Sequence, residues 1–586
     1  ETSTSDSRLK HTVIFPPISV TSLYDDGDTD EDVVGSLVKP TTAIQDNYKN
    51  RHRQLYSING GVSIDFIKNL QFRTDFGIEG RVDEDKIYKG ASTYDARNSS
   101  LAPGMPIATI TDKDTKRLRN TNTLSYKWTS PNKAHSFNAL IGEEMTITSA
   151  VTKTNRIEGI PTMFTPEQCF GYLTEGIPAS IDNYYSYDDR LLSFFGRVGY
   201  DYLGRYLVTA TFRADGSSKF APGNQWGYFP SVAAAWRLSD ESWMEGASGW
   251  LNNLKLRASY GVAGNNNIAA GQYLKIYSSS TELWMNGFNS YWSVGNALNN
   301  QDIKWETTYT YNIGLDFGFW NSRINGTIDI YQNDVKDLLI DFPIQGTGYQ
   351  TVTRNIGATR NRGIELAINA ALVNAHDFTL DFNFNIAYNQ NRVMDLGGLE
   401  YLSGNSGWAG SEISEDYRVI VGQAMGQMWG YVTDGYYTAD EFDWDGSKWV
   451  AKDGVVDNSA MTGSSWGPGA LKVKDLDNSG TIDDKDMTVI GCAMPDFTGG
   501  FGLNMTYKGF DLSAAFTFSI GNEVYNANKL EFTNTSKYYH RNQLAMMGSE
   551  YRYTQIDWNT GERITDPAIL NEINQDATIW SPVMPK

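Results

Sequence analysis

Apolar and polar side chains alternate along this chain with a period of two, and the pattern recurs many times. Over 305–317, Trp305, Thr307, Tyr309, Tyr311, Ile313, Leu315 and Phe317 fall on one face, with Glu306, Thr308, Thr310, Asn312, Gly314 and Asp316 on the other. Residues 253–262 and 378–389 repeat it, the latter setting Phe378, Leu380, Phe382, Phe384, Ile386 and Tyr388 against Thr379, Asp381, Asn383, Asn385 and Asn389. This is strand periodicity, not helical periodicity. The same reading applies at 54–66, 70–82, 122–130, 135–147, 190–202, 205–215, 227–238, 322–334, 361–373, 497–508 and 510–520, giving fourteen expected strands. Most run 10–13 residues, against about 5–6 for a globular strand and about 9–11 for a tilted membrane-spanning one.

The connections alternate in length. Short ones are expected near 67–69, 131–134, 203–204, 318–321, 374–376 and 509, and long ones at 83–121, 148–189, 216–226, 263–304, 335–360 and 393–496, with 239–252 in between. Outer-membrane barrels have short turns on the periplasmic side and long loops outside the cell, whereas a soluble sandwich has no reason to sort its loops by side. The fold class expected is therefore all-β, a transmembrane antiparallel β-barrel of the outer-membrane type. Its apolar rows would face lipid, and its polar rows, carrying Arg197, Asp201, Arg213, Arg257, Asp316, Arg323, Asp329 and Asp381, would face a wet lumen. Tyr200, Tyr202, Tyr206, Trp236, Trp305 and Tyr388 sit near strand ends, where interfacial aromatic girdles belong.

Three regions are expected: 1–53 as extracellular loop, 54–520 as barrel strands with long loops, and 521–586 as a further extracellular loop. A barrel cannot leave open edges in lipid, so fourteen strands ending in this way call for completion by additional chain.

Composition narrows the function classes. No run approaches the roughly 18 apolar residues of a membrane helix. The 49 basic and 69 acidic residues give a net charge of −20 and a mean hydropathy of −0.43. That balance argues against a nucleic-acid partner, which needs clustered Lys and Arg. Two cysteines, Cys169 and Cys492, exclude a disulfide framework, and no local spacing supports a bridge between them. Five scattered histidines offer no zinc motif. Adjacent carboxylates such as Glu143 and Glu144 point to opposite faces of a strand, so they cannot act as a glycosidase pair, and no catalytic residue is assigned.

Several long blocks resemble the SusC/RagA-type, TonB-dependent outer-membrane transporters. They are RLLSFFGRVGYDYLGRYLVTATFRADGSSKFAPGNQWGYFPSVAAAWRLSDESW at 190–243, LKLRASYGVAGN at 254–265, WETTYTYNIGLDFGFWNSRINGTIDIYQNDVKDLL at 305–339, NIGATRNRGIEL at 355–366, DLDNSGTIDDKDMTVIG at 475–491 and PDFTGGFGLNMTYKGFDLS at 495–513. The resemblance implies a barrel of about twenty-two strands, the plugged class, of which about fourteen are represented. It also implies a plug and a TonB-contacting segment, which match no position of this chain. It further implies a SusD-like surface lipoprotein as partner, coupling to the TonB complex, outer-membrane lipid around the barrel, and an oligosaccharide or peptide as ligand. The loops 263–304, 393–496 and 521–586 are the expected partner contacts and ligand walls. The alternatives are a surface adhesin or passive porin on a similar barrel, and a secreted glycan hydrolase, which the loop pattern disfavours.

Two candidate sites follow from the residues. Asp475, Asp477, Ser479, Thr481 (through its carbonyl), Asp483 and Asp486 occupy positions 1, 3, 5, 7, 9 and 12 of a calcium-type loop with Gly480 at position 6. A structural calcium ion is the cofactor expected there; a self-bonded Asx turn is the plainer reading. Among loop aromatics, Trp284, Trp292, Trp408 and Trp429 are the candidates for stacking on ligand, with Trp444 and Trp466 in the same class. Arg213-Ala214-Asp215-Gly216-Ser217-Ser218 is read as a turn held by an arginine–carboxylate pair.

Overall fold

A computed structural model describes residues 45–275, 277–282, 289–294, 297–344, 346–407, 415–462, 466–533 and 542–581. Fourteen strands form one antiparallel sheet in simple sequential order. They are β1 (Asn47–Ile67), β2 (Leu70–Lys89), β3 (Ile107–Thr129), β4 (His135–Glu158), β5 (Asp189–Tyr202), β6 (Tyr206–Ser217) and β7 (Trp226–Arg237), followed by β8 (Leu251–Asn265), β9 (Glu306–Phe319), β10 (Ile324–Lys336), β11 (Ala358–Ala375), β12 (Phe378–Asp395), β13 (Phe497–Tyr507) and β14 (Phe510–Ile520). Each overlaps one of the fourteen segments expected from the alternation, with bounds that differ by one or two residues at several turn ends. No helix among the described residues is long and apolar enough to cross a membrane.

The register confirms the two faces, because side chains directly opposite on antiparallel strands share a face. One outward row runs Ile386–Leu366–Ile328–Leu315–Leu256–Trp236–Tyr206–Tyr202 across eight strands. It begins near the middle of β12 and reaches the turn end by β5, so the strands are staggered as tilted barrel strands must be. At the short-turn end, Tyr200, Tyr202, Tyr206 and Trp236 are exposed, and Tyr206 and Trp236 both donate to Glu241 (2.6 and 3.0 Å).

Two-residue turns join β1 to β2 (Lys68-Asn69), β11 to β12 (His376-Asp377) and β13 to β14 (Lys508-Gly509). Asn69 and Lys508 take left-handed backbone there, with φ of 74° and 50°. The connection 238–250 is built of short 3-10 turns.

The boundaries differ most at the long-loop end. β1 begins at Asn47 inside the expected 1–53 loop, β2 runs on to Lys89, β3 starts at Ile107 and β4 continues to Glu158. Residues 177–185 then pair with β4 as an added strand. The expected loops 83–121 and 148–189 shrink accordingly. The oily row ends at Leu118 and Ile147, and above it outward positions carry Lys116, Asp114, Asp112 and Lys153. Backbone pairing therefore continues past the lipid, where nothing keeps the exposed side chains apolar. Residues 1–44 of the expected first region, with 534–541 and 582–586 of the last, lie outside the described residues.

Trp305 departs from its expected place in the aromatic girdle. It precedes β9, is buried, and packs edge-on against Phe229 and tilted against Phe220, while its indole N–H donates to the Gln225 carbonyl (2.8 Å). Outside the strand register its ring folds inward, and with Ile303 it forms an apolar cluster at the base of the loops. Arg323 also differs: it sits at the β9–β10 turn and ties the Ala371 and Leu372 carbonyls (2.8 and 2.6 Å) rather than facing the lumen.

Candidate functional site

The inward face of the sheet carries a ladder of paired charges. Arg213 donates to Asp215 (2.8 Å) and Ser193 (2.8 Å) and reaches Glu144 (3.6 Å), which accepts from Thr121 (3.0 Å). Phe195 lies beneath the Arg213 guanidinium, 5.5 Å from ring centroid to charge. The expected Arg213–Asp215 pair is present, inside β6 rather than in a turn, because residues two apart on a strand share a face. Further round, Arg257 contacts Asp316 (2.8 Å) and, across Gly314, Asp329 (3.1 Å). Lys255 joins Asp316 (3.4 Å), and Arg73 pairs with Asp75 (2.7 Å). Glu143 and Glu144 diverge as expected, Glu143 standing opposite Phe194 on the outward face and Glu144 opposite Ser193 on the inward one. Such a wall offers many donors and acceptors to a hydrated solute while keeping its charges matched.

Above the sheet, the long β12–β13 connection and the segment after β14 form one lobe rather than two separate loops. Tyr437, Ala439, Phe442, Trp449 and Ala470 from the first meet Leu570 from the second in a buried core, with Trp444, Trp466 and Ile564 packed on it. Leu570 lies on the helix Pro567–Ile573, capped by Asp566, whose carboxylate accepts from the Ala568 amide (2.8 Å). Main-chain and side-chain bonds stitch the halves together, among them Ser581 N–H to Gly469 C=O (2.7 Å) and Tyr436 hydroxyl to Ala577 C=O (2.9 Å). Burial pushes the Tyr437 phenol up to about 12 and raises that of Tyr553 further.

This lobe holds a cavity of about 890 Å³ lined by Trp449, Trp466, Pro468, Tyr553 and Gln555, with Lys448, Arg552 and Arg563 contributing charge. The Trp449 indole N–H and the Tyr553 hydroxyl have no hydrogen-bond partner among the described residues. The alternation of strands carries no signal for this pocket. Of its aromatic residues only Trp466 stands among the loop tryptophans singled out from the sequence, and there without a spatial assignment.

The sequence-derived candidates fall in different places. Trp284 and Trp408 lie outside the described residues; Trp292 belongs to the strand Asn289–Val294, but its side chain is likewise outside them. Trp429 lies in a four-stranded sheet made of 401–404, 417–420, 427–431 and 487–492. One face of its ring is covered by the Arg418 guanidinium, 3.8 Å from the centroid, and Arg418 also stacks 4.0 Å from Tyr401. Glu415 fixes Arg418, and that hydrogen bond holds the Glu415 carboxyl below its ordinary range.

In the 475–486 loop, Asp475, Asp477 and Asp486 bring carboxylate oxygens within 4.8 Å of one another. Asp486 is fully buried and accepts from the Leu476 and Asp483 amides (2.7 and 2.8 Å). Asp475 accepts from the Ser479 and Gly480 amides (3.1 and 2.8 Å). Bonds from Ser479 hold the Asp477 carboxyl below its usual value. Asp483 instead caps the turn at 484–486 through the Lys485 amide (2.7 Å), and the Ser479 hydroxyl donates to the Thr481 carbonyl (2.9 Å). Cys169 and Cys492 are both free, Cys169 buried beside Tyr88 and Ile160.

A sequential antiparallel sheet with an oily exterior, a charged interior and long loops at one end defines the wall of an outer-membrane β-barrel. The sequence matches the family described as TonB dependent receptor-like, beta-barrel, over residues 12–526, and the chain belongs to that family. It is 29% identical over 507 residues to TonB-dependent receptor P3 of Formosa agariphila, covering 84% of this chain and 47% of the relative. It is 34% identical over 351 residues to TonB-dependent receptor SusC of Bacteroides thetaiotaomicron, covering 58% of this chain and 32% of that one. The chain thus spans about half, or less, of the length of these curated relatives. Among solved structures, the RagAB peptide transporter superposes with a TM-score of 0.71 over 92% of this chain and 54% of its own, at 19% identity, a likeness of fold. This places the chain in the outer membrane of a Gram-negative bacterium, as a barrel of the TonB-dependent receptor type.

Proposed function

We propose that this chain forms the barrel wall and external loops of a TonB-energised importer that admits oligosaccharides or peptides and works with a SusD-like surface lipoprotein. The observation that carries the reading is the pairing of a charge-matched inward wall with an aromatic-lined cavity in a packed lobe on the long-loop side. A hydrated, hydrogen-bonding solute suits both: aromatic faces stack on sugar rings or apolar side chains, and the Lys448, Arg552 and Arg563 cations add acceptor-seeking groups. A lobe built from two distant loops also offers a firm platform for a lipoprotein lid. The names of the relatives support TonB coupling, which would act through parts of the protein beyond this chain. The test is uptake of labelled oligosaccharide and oligopeptide panels by cells with and without the full-length gene, each with TonB intact or deleted. Uptake of one class that needs both gene and TonB is the expected result. Uptake that survives loss of TonB would point to a passive pore, and none in any strain to an adhesin.

We read the 475–486 loop as a structural calcium site. Calcium takes about six to eight oxygens, and the converging carboxylates of Asp475, Asp477 and Asp486 supply three of the donor groups. Chelation should then loosen this loop, raising protease cleavage within 475–486 of the full-length protein; unchanged cleavage would reduce it to a self-bonded turn.

A further inference from the structure

The outward face of β10–β12 carries a feature that neither transport nor the lipid-facing rows require. Above the apolar row Ile330–Ile364–Tyr388, the next outward rows are Gln332–Arg362–Gln390 and Asp334–Arg360–Arg392, with Lys336 beyond them. Four cations thus share a patch with one carboxylate between them, Asp334, which pairs with Arg360; Asp395 stands only at its upper margin. The chain as a whole carries a net charge of −20, so this is a local reversal of sign. At the corresponding height on β2–β4, outward Lys86, Lys116 and Lys153 are balanced by Glu84, Asp112 and Asp114, with ion pairs such as Lys86–Glu84 (3.0 Å) and Lys116–Asp114 (3.2 Å).

Arg360 and Arg392 are direct cross-strand partners, an arrangement that destabilises a sheet when both carry the same charge. Arg392 is exposed and has no ion-pair partner among the described residues, while Arg362 is held by Gln332 (2.7 Å) with its far nitrogens free to donate. Lys336 stands over the Tyr309 ring at 5.2 Å, at the aromatic border of the lipid band. An anion seated between the two guanidiniums would remove the repulsion, and the planar fork of arginine matches phosphate oxygens. The patch lies at the long-loop end of its strands, hence at the outer leaflet, immediately above the hydrocarbon. We propose that it binds the phosphate of an outer-leaflet glycolipid headgroup, with the acyl chains lying along the oily rows below.

The experiment uses the full-length protein purified from its own outer membrane in mild detergent, with retained glycolipid counted by native mass spectrometry. The double substitution Arg360→Gln/Arg392→Gln should lower retained phosphorylated glycolipid by at least about tenfold, and Lys116→Gln/Lys153→Gln on the balanced face should leave it unchanged. Equal retention by both variants overturns the proposal. If the arginine variant does not fold, the wild type decides: in reconstituted vesicles it should prefer the phosphorylated glycolipid over the same lipid after enzymatic dephosphorylation. No preference overturns the proposal, as does displacement of the lipid by millimolar inorganic phosphate, which would mark a free-anion site.

Discussion

Arg257 reaches two carboxylates on neighbouring strands because the residue between them has no side chain. Gly314 stands opposite both Arg257 and Asp329, and a methyl group there would come within 2.4 Å of the Asp329 oxygen and 2.6 Å of an Arg257 nitrogen. Gly314→Ala should therefore break the Arg257–Asp329 contact while leaving the strand backbone able to pair. The pair is part-exposed, so the cost is modest, about 1–2 kcal/mol, read as a lowered thermal transition of the full-length protein. Arg257→Gln should reproduce most of that loss without the clash, and a Gly314→Ala variant as stable as wild type would contradict the account. Trp305 makes a different kind of contribution. It fills space between Phe220 and Phe229, so Trp305→Ala should cost about 3–5 kcal/mol and expose the base of the loops to protease. Neither role was legible in the sequence: periodicity gave Gly314 its face but not its gap, and it assigned Trp305 to the wrong side, because alternation says nothing once the chain leaves the strand.

At the scale of elements, the strand cores were legible and their upper ends were not. All fourteen barrel strands contain the expected oily alternation because hydrocarbon demands it on one face. The extensions of β2, β3 and β4 lack it because lipid no longer touches them. The lobe was hidden for a related reason. Its core joins Phe442 and Trp449 to Leu570, more than a hundred residues away, and no local period encodes a contact that distant. Its chemistry does make a prediction. With burial raising the phenols of Tyr437 and Tyr553 above the ordinary value of 10.0, the folded lobe binds protons there that the unfolded lobe has released. The stability these groups contribute is intact below pH 10 and is lost as pH rises through about 12. Tyrosinate absorbance and limited proteolysis should show the lobe opening in that window ahead of the barrel, which is held by continuous backbone pairing across fourteen strands. Simultaneous loss of both would mean that the lobe is not an independently melting unit. Gly469, with φ of 81° and Tyr553 packed where its side chain would be, gives a second handle: Gly469→Ala should open the same lobe at neutral pH.

At the scale of the whole molecule, the governing fact is that β1 and β14 are the two edges of the sheet and do not pair with one another among the described residues. An unpaired edge in water is an aggregation hazard; in hydrocarbon each unpartnered amide or carbonyl costs several kcal/mol. β1 and β14 expose oily side chains such as Ile58, Val62, Phe510 and Phe516 beside those edges, so both edges belong at lipid depth and both must be paired in the working protein. The curated relatives, of which this chain spans 47% and 32%, have length enough to supply those partners. In the full-length protein embedded in membrane, amides of 47–67 and 510–520 should therefore exchange with deuterium as slowly as those of the central strands β8 and β9. The same full-length protein should migrate faster on a gel before boiling than after it, as a closed barrel does. Fast exchange confined to β1 or β14 would show an edge open to water, and the closed wall on which the proposed import depends would then have to be abandoned.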